Sequence, residues 1–290
     1  MAKREELCFY LMILPWVAGF LCLTLGPMLF SFYTSFTNWD GILAPRWTGL
    51  ANFKAMFTAD DQFIQSLWLT VKYVLLAVPS SLIFALLLAA LLCRDVPGAG
   101  FFQALYYFPS IVSGAAIFMV WNYMFDPVTG VINYLLSLLG INGPGWLSSP
   151  QWAMPSLIIM NLFFCGSQML IFVAGIKQIS PSYYEAAMMD GAGPVKCFFK
   201  ITMPMLVPLI VFNLIMNMIS SIQVFAQSFV MTSGGPAKST YFYVYYLYET
   251  AFKFTDFGYA SAMSWFMFGA IFLMSIAVLQ LSKKIAGEGE

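Results

Sequence analysis

The chain has 290 residues, of which 61% are hydrophobic and only 9% are charged, and its formal net charge is zero. A soluble domain carries about 25% charged residues, so this composition excludes a soluble globular protein and indicates an integral membrane protein. The neutral balance gives no indication of a nucleic-acid partner. The sequence has no histidine, no paired cysteine spacing and no phosphate-binding loop. We therefore expect no metal site, no cofactor and no ATPase site in this chain.

Charged residues are so rare that the gaps between them delimit six apolar segments. A transmembrane helix needs about 20 apolar residues, and these segments lack the alternation of β-barrel strands. The predicted fold class is therefore an all-α polytopic membrane protein with six transmembrane helices. The predicted spans are about 7–30, 67–92, 101–125, 152–174, 203–231 and 258–281.

The gap between the third and fourth spans contains one further apolar stretch, Val131 to Ile141. Pro127 and Gly130 precede it, and a run of turn residues from Gly140 to Pro150 follows it. The stretch is too short to cross a bilayer. We predict a short interfacial helix in an outer loop.

Lys and Arg residues in short loops set the orientation of a membrane protein. With the N-terminus inside, the inner side holds eight of the 13 basic residues: Lys3, Arg4, Arg94, Lys177, Lys196, Lys200, Lys283 and Lys284. This bias predicts that both termini and the polar segment around Glu185 are cytoplasmic. The apolar run from Leu7 to Phe30 is too long for a signal peptide and is interpreted as a span.

The predicted spans contain almost no ionisable side chains. Ion-coupled transporters usually place such groups within the membrane, so the energy for any uphill transport is expected to come from a separate protein. A neutral solute is favoured for the same reason, because a bound anion favours a buried Arg or Lys.

Neutral polar side chains are concentrated in the fifth span. At about 100° per residue they fall within one arc of about 160°; they are Asn213, Asn217, Ser220, Ser221, Gln223, Gln227 and Ser228. Asn161 and Gln168 in the fourth span are seven residues apart and are predicted to share a face. We interpret these groups as the lining of a wet pathway; interhelical hydrogen bonds are the alternative. Amides suit sugar hydroxyls, and Phe225 and Trp265 are candidate stacking partners.

A polar segment interrupts the apolar chain between the fourth and fifth spans. Ser180 and Pro181 have the positions of an N-cap and a first helical residue. The helix is predicted to end at Gly191 or Gly193. A second short helix, Val195 to Lys200, leads into the fifth span. From the residues alone, this segment could equally be an amphipathic surface connector.

Several motifs resemble those of bacterial ABC importer permeases. Glu185-Ala186-Ala187, Gly191 and Ile201-x-Met203-Pro204 are similar to the EAA–G–I-x-LP signature of that superfamily, with Met203 in place of the usual Leu. Other stretches resemble the carbohydrate-uptake branch, of the maltose and glycerol-phosphate type; they are Gly49 to Phe53, Gly130 to Asn133, Thr232 to Pro236, Ser239-Thr240 and Gly258 to Ala262.

This resemblance implies a type I ABC importer transmembrane domain in the bacterial inner membrane. It implies an ATPase-coupling role for Glu185, Ala186, Ala187, Asp190, Gly191 and Pro204. Glu185 would pair with a basic residue of the ATPase, and Gly191 would permit a bend. The implied partners are a second homologous permease, two cytoplasmic ATP-binding subunits, an extracytoplasmic solute-binding protein and membrane lipid.

The expected domain organisation has three parts. Residues 1–66 form the first helix and outer loop, residues 67–282 form the transmembrane domain with coupling helices at about 181–200, and residues 283–290 form a tail. The substrate pathway is assigned to Asn161, Gln168, Asn213, Asn217, Ser220, Ser221, Gln223 and Phe225. Alternative functions are an ion-coupled secondary transporter, a membrane scaffold without a transport path, and an ABC permease for a non-sugar neutral or phosphorylated solute.

Overall fold

The structure is a computed structural model that describes residues 2–94 and 97–287. Asp95 and residues 288–290 of the predicted tail lie outside the described residues. Four basic residues that contribute to the predicted excess of positive charge on the inner side have no described side chains. They are Lys3, Arg4, Lys283 and Lys284.

The described residues are almost entirely helical, as predicted. Their extended structure is limited to one isolated bridge between Thr37 and Trp47. In chain order the helices are α1 Ala2–Phe20, α2 Gly26–Thr34, α3 Ala51–Thr58, α4 Asp61–Leu92, α5 Ala99–Tyr107, α6 Gly114–Met124, α7 Val131–Leu138, α8 Pro150–Leu162, α9 Gly166–Gln178, α10 Pro181–Met189, α11 Pro194–Cys197, α12 Met203–Met205, α13 Val207–Ile222, α14 Ala226–Met231, α15 Tyr243–Phe252 and α16 Phe257–Gly287. Single π-helical turns connect α1 to α2 (Leu21–Leu25) and α11 to α12 (Phe198–Thr202).

Within residues 2–94 and 97–287, three helical segments are long and apolar enough to cross a membrane without interruption. They are Phe9–Thr34, Asp61–Leu92 and Phe257–Ser282. They confirm the first, second and sixth predicted spans, with the second beginning about a turn and a half earlier than predicted.

The third, fourth and fifth predicted spans are bent, a feature that the prediction did not include. Each is a pair of helices joined at a bend: 100° between Ala99–Ser110 and Gly114–Met124, 45° between Pro150–Leu162 and Gly166–Gln178, and 69° between Pro194–Met205 and Val207–Ile222. Counting each bent pair as one span gives the six predicted crossings.

Two prolines flank the bend at the start of the fifth span. Pro208 has no N–H group, and its ring crowds the carbonyl of Pro204 four residues earlier. The ladder resumes when Ile210 donates to the carbonyl of Leu206 at 2.8 Å. The change of direction at Leu206 therefore lies between the two prolines of a Pro-x-x-x-Pro sequence.

A close backbone approach accompanies the bend in the fourth span. A Cβ atom at Gly166 would lie 2.2 Å from the carbonyl oxygen of Tyr106. Only glycine permits α9 to begin against the end of α5 in this way.

The chain forms two compact units. One comprises the residues up to Ile64 together with Tyr246–Ala270. In it, Asp60 accepts hydrogen bonds from the hydroxyls of Tyr246 at 2.7 Å and Tyr259 at 2.6 Å, and from the backbone N–H of Phe63 at 2.9 Å. One carboxylate thus joins three chain segments in this unit.

The second unit comprises Gln65–Tyr245 and the chain from Ile271. The residues of this unit that the structure describes form two apolar clusters. One centres on Tyr73, Phe125, Leu157 and Phe242. The other contains Ala85 and Ala89 of α4 with Met169 and Phe172 of α9. The second cluster packs the C-terminal half of α4 against α9.

The helix predicted between Val131 and Ile141 is confirmed as α7, although it ends at Leu138. It is anchored by Asn133, whose Oδ1 accepts a hydrogen bond from Trp146 Nε1 at 2.7 Å. The turn before it closes on Asp126. Hydrogen bonds from the backbone N–H groups of Thr129 and Val128 hold the pKa of the Asp126 carboxyl below its usual value.

Candidate functional site

The polar segment begins as the sequence predicts. Helix α10 starts at Pro181, and Ser180 has the extended backbone of an N-cap, with φ −60° and ψ 133°. The Ser180 hydroxyl does not cap a backbone N–H group; it lies 2.9 Å from the hydroxyl of Ser182. The start of the helix therefore depends on the proline and the local backbone.

Helix α10 ends in a left-handed turn at Gly191, where φ is +76°. The N–H of Ala192 donates to the carbonyl of Ala187 at 2.9 Å, and the N–H of Gly191 donates to the carbonyl of Met188 at 3.0 Å. This pair of bonds is the Schellman motif. The prediction that a glycine ends the helix is confirmed, with Gly191 as that residue.

The second short helix is longer than predicted. Helical structure begins at Pro194 and continues without a break to Met205. One side-chain hydrogen bond joins it to α10: the hydroxyls of Tyr184 and Thr202 lie 2.9 Å apart. Thr202 is buried. The two helices are thus linked by a side-chain hydrogen bond at some distance from the Gly191 turn that connects them.

The residues assigned to coupling form an accessible surface on this segment. Glu185, Ala186, Asp190, Gly191 and Pro204 are exposed, and Ala187 is half-buried. Glu185 makes no ion pair with any residue that the structure describes. The ion pair found among the described residues joins Glu249 in α15 and Lys253 just after it. A carboxylate on an exposed helix face is therefore free to meet a basic partner.

Part of the predicted polar pathway is brought together on α13. Asn213, Asn217 and Ser221 follow at intervals of four residues, and all three are buried. Asn213 Nδ2 donates to the carbonyl of Leu209 at 3.1 Å, and Ser221 donates to Asn217 Oδ1 at 3.2 Å. Within the described part of the chain, the Nδ2 group of Asn217 has no hydrogen-bond partner, although its residue is only 6% exposed. An unpaired buried amide costs about 1–3 kcal/mol, so it is poised for an acceptor.

The stripe predicted through Ser228 does not exist as one helical face. Helix α13 ends at Ile222, and Gln223 and Phe225 lie in the break before α14. Ser220 and Gln223 are exposed. Ser228 is buried and donates to the carbonyl of Thr240. The prediction was wrong because it continued an ideal helical rotation of 100° per residue past the end of α13.

Asn161 and Gln168 lie on opposite sides of the 45° bend, in α8 and α9. They therefore do not share one helix face as predicted. Gln168 Oε1 accepts a hydrogen bond from Ser81 of α4 at 2.8 Å. This contact is an interhelical hydrogen bond, the alternative that the sequence left open for these amides.

Phe225 belongs to an aromatic cluster that the sequence did not predict as a unit. Its ring centroid lies 5.2 Å from that of Phe229 and 6.1 Å from that of Tyr245, and Tyr245 lies 5.0 Å from Tyr241. Trp265, the other candidate stacking residue, instead packs on Phe32 at 4.8 Å.

A hydroxyl network beside this cluster was also missed. The hydroxyls of Thr232 and Thr240 lie 2.7 Å apart, and Thr240 donates to the carbonyl of Gly235 at 2.8 Å. Two motifs in this stretch, Thr232 to Pro236 and Ser239-Thr240, resemble those of the carbohydrate-uptake branch. That resemblance indicated the loop but not the hydrogen bonds within it. The side chains of Thr232 and Thr240 close this loop between α14 and α15.

Bent membrane helices, an exposed helical segment and a row of neutral polar groups define the class of this protein as a membrane-spanning transport subunit. The chain belongs to the family described as binding-protein-dependent transport system inner membrane component, which matches residues 51–287. Subunits of this family transport solutes and are not themselves the ATPase.

Relatives extend over almost the whole chain. The probable ABC transporter permease protein YesP of Bacillus subtilis (strain 168) is 42% identical over 284 residues, which are 97% of this chain and 92% of the relative. The sulfoquinovosyl glycerol transport system permease protein SmoG of Agrobacterium fabrum is 34% identical over 254 residues, 86% of this chain and 82% of the relative. The fold matches a chain of a bacterial alginate ABC transporter with a TM-score of 0.85 and 24% identity, covering 98% of this chain and 96% of that chain.

Proposed function

We propose that this chain forms half of the translocation pathway of an ATP-driven, binding-protein-dependent importer for a sugar or oligosaccharide. The observation that carries the proposal is the family match over residues 51–287. Relatives support the substrate class: one is named for multiple sugars, from Streptococcus mutans, and another for trehalose and maltose, from Thermococcus litoralis. The buried row of Asn213, Asn217 and Ser221 offers neutral hydrogen-bonding groups of the kind that hydroxyls need.

The proposed assembly contains a second homologous permease, two ATP-binding subunits and an external solute-binding protein. Residues 67–282 serve as the transmembrane domain, both termini are cytoplasmic, and the segment Glu185–Gly191 contacts an ATPase subunit. Its exposure, and the absence of an ion pair to Glu185 within the described residues, support that contact. In this arrangement nucleotide-driven movement of α10 changes the tilt of α13.

The test is uptake into proteoliposomes that contain the whole transporter and its loaded binding protein. We expect uptake of a neutral labelled oligosaccharide to require ATP hydrolysis and the binding protein, and to continue when a protonophore collapses the proton gradient. Uptake that survives an ATPase-dead subunit but stops with the protonophore would identify an ion-coupled transporter. If only a phosphorylated solute were taken up, the ABC mechanism would stand, but the proposal that the substrate is a neutral sugar would be wrong.

A further inference from the structure

The structure contains a groove where the end of α4, the end of α9 and the segment from Pro181 to Thr202 meet. Its volume is about 800 Å³. Its walls are apolar apart from a few groups, and include Leu87 and Leu91 from α4, Ile176 from α9 and Met188 from α10. A space of this size and lining is suited to a hydrocarbon chain.

The groove continues a surface that faces outward along α4. Ile83, Leu87 and Leu91 follow at intervals of four residues and are 59%, 58% and 54% exposed. On a helix in the membrane such an apolar row is suited to contact with acyl chains. Leu87 and Leu91 belong both to this row and to the groove, so the groove is open to the hydrophobic part of the bilayer.

Two cations lie at the rim. Arg94 lies two residues beyond the end of α4, and Lys177 is in the last turn of α9; both line the groove and both are exposed. The described lining residues include no Asp or Glu. The groove therefore combines apolar walls with positive charge at one end. Basic pockets between membrane helices on the cytoplasmic side bind anionic lipid headgroups.

We propose that this groove binds an anionic phospholipid, with an acyl chain against Leu87 and Leu91 and the phosphate between Arg94 and Lys177. The proposal rests on the cytoplasmic placement of the coupling segment. Tyr184 and Met188 of α10 are part of the groove wall. Occupancy by a lipid therefore supports α10 from the membrane side, and anionic lipid content regulates how well ATP hydrolysis is coupled to transport.

The binding test uses the complete transporter in nanodiscs of phosphatidylethanolamine with or without phosphatidylglycerol. We expect Arg94→Gln with Lys177→Gln to reduce the phosphatidylglycerol retained in native mass spectrometry about thirty-fold, the loss that two juxtamembrane cations produce together. The matched control is Lys196→Gln with Lys200→Gln, which removes two nearby positive charges that do not line the groove. Equal retention by the two double variants would overturn the proposal.

Two further measurements identify the occupant. Inorganic phosphate is expected not to displace phosphatidylglycerol, because it has no acyl chain to fill the groove; displacement would overturn the lipid assignment. p-Benzoylphenylalanine introduced in place of Leu91 is expected to photocrosslink to phosphatidylglycerol, and a crosslink to the ATPase or second permease instead would also overturn the lipid assignment. Lipid retention is measured without transport. Selective retention in a complex that imports no sugar would therefore refute the proposed function and leave the lipid site standing.

Discussion

Substitution of Gly191 by alanine tests whether the left-handed turn after α10 is needed for coupling. A Cβ atom at this position would meet no atom within 4 Å, so the substitution causes no clash. Its cost comes only from the backbone, where φ is +76°. A residue with a Cβ pays roughly 1–2 kcal/mol in this conformation.

That cost reduces the population of the bent segment about five- to thirty-fold relative to unbent states. We expect Gly191→Ala to lower both uptake and the ATPase stimulation by loaded binding protein by up to about thirty-fold. Gly191→Asn should lose less, because asparagine tolerates the left-handed region better. The assays are uptake and ATP hydrolysis by the reconstituted transporter.

Gly193 provides the matched control two residues away. Its Cβ position is also open, but its φ is −73°, which any residue adopts. Gly193→Ala should change uptake by no more than about twofold, the usual range for surface substitutions. Equal loss in the two variants, or no loss in Gly191→Ala, would show that the turn conformation is not what the ATPase contact requires.

The remaining predictions concern charge, selectivity and local order. Glu185→Lys should abolish uptake while membrane insertion is unchanged, and a reversed charge on the facing ATPase residue should restore it; failure to find any such rescue would count against the ion pair. Asn217→Leu should change the relative uptake of competing solutes, and an unchanged profile would remove Asn217 from the pathway. Tyr184→Phe removes its hydrogen bond to Thr202, worth about 0.5–1.5 kcal/mol, and should speed amide exchange in α10 but not in α7. Asp60→Asn should lower the thermal midpoint of the detergent-solubilised chain, because it weakens two hydrogen bonds to a charged group worth about 1.5–3 kcal/mol each; an unchanged midpoint would contradict that role.

The sequence predicted the number of crossings because that depends on length and hydropathy alone. It predicted the boundaries of α10 because Pro181 and Gly191 act locally, through fixed φ and a left-handed turn. It also predicted α7, which is delimited by turn residues on both sides.

The bends could not be predicted in the same way. Pro79 and Pro155 lie inside α4 and α8, which continue through them, whereas Pro208 accompanies a bend of 69°. Proline therefore does not distinguish a continuous helix from a broken one when neighbouring groups can take up the freed carbonyl. The bend before Gly166 depends on the backbone of Tyr106, which is far away in the sequence. The expectation that Gln223 continues the polar face of α13 is wrong because the helix ends one residue earlier, at Ile222.

The bend at Leu206 has a mechanical consequence. The helix that ends at Met205 is linked to α10 through Tyr184 and Thr202, and it meets α13 at 69°, nearer to a right angle than to a straight line. In a rigid pair of helices bent in this way, a displacement along Pro194–Met205 becomes a sideways rotation of α13. A force applied at the segment Glu185–Gly191 would then move Asn213 and Asn217 sideways, parallel to the membrane. A straight helix would only move them along its own axis.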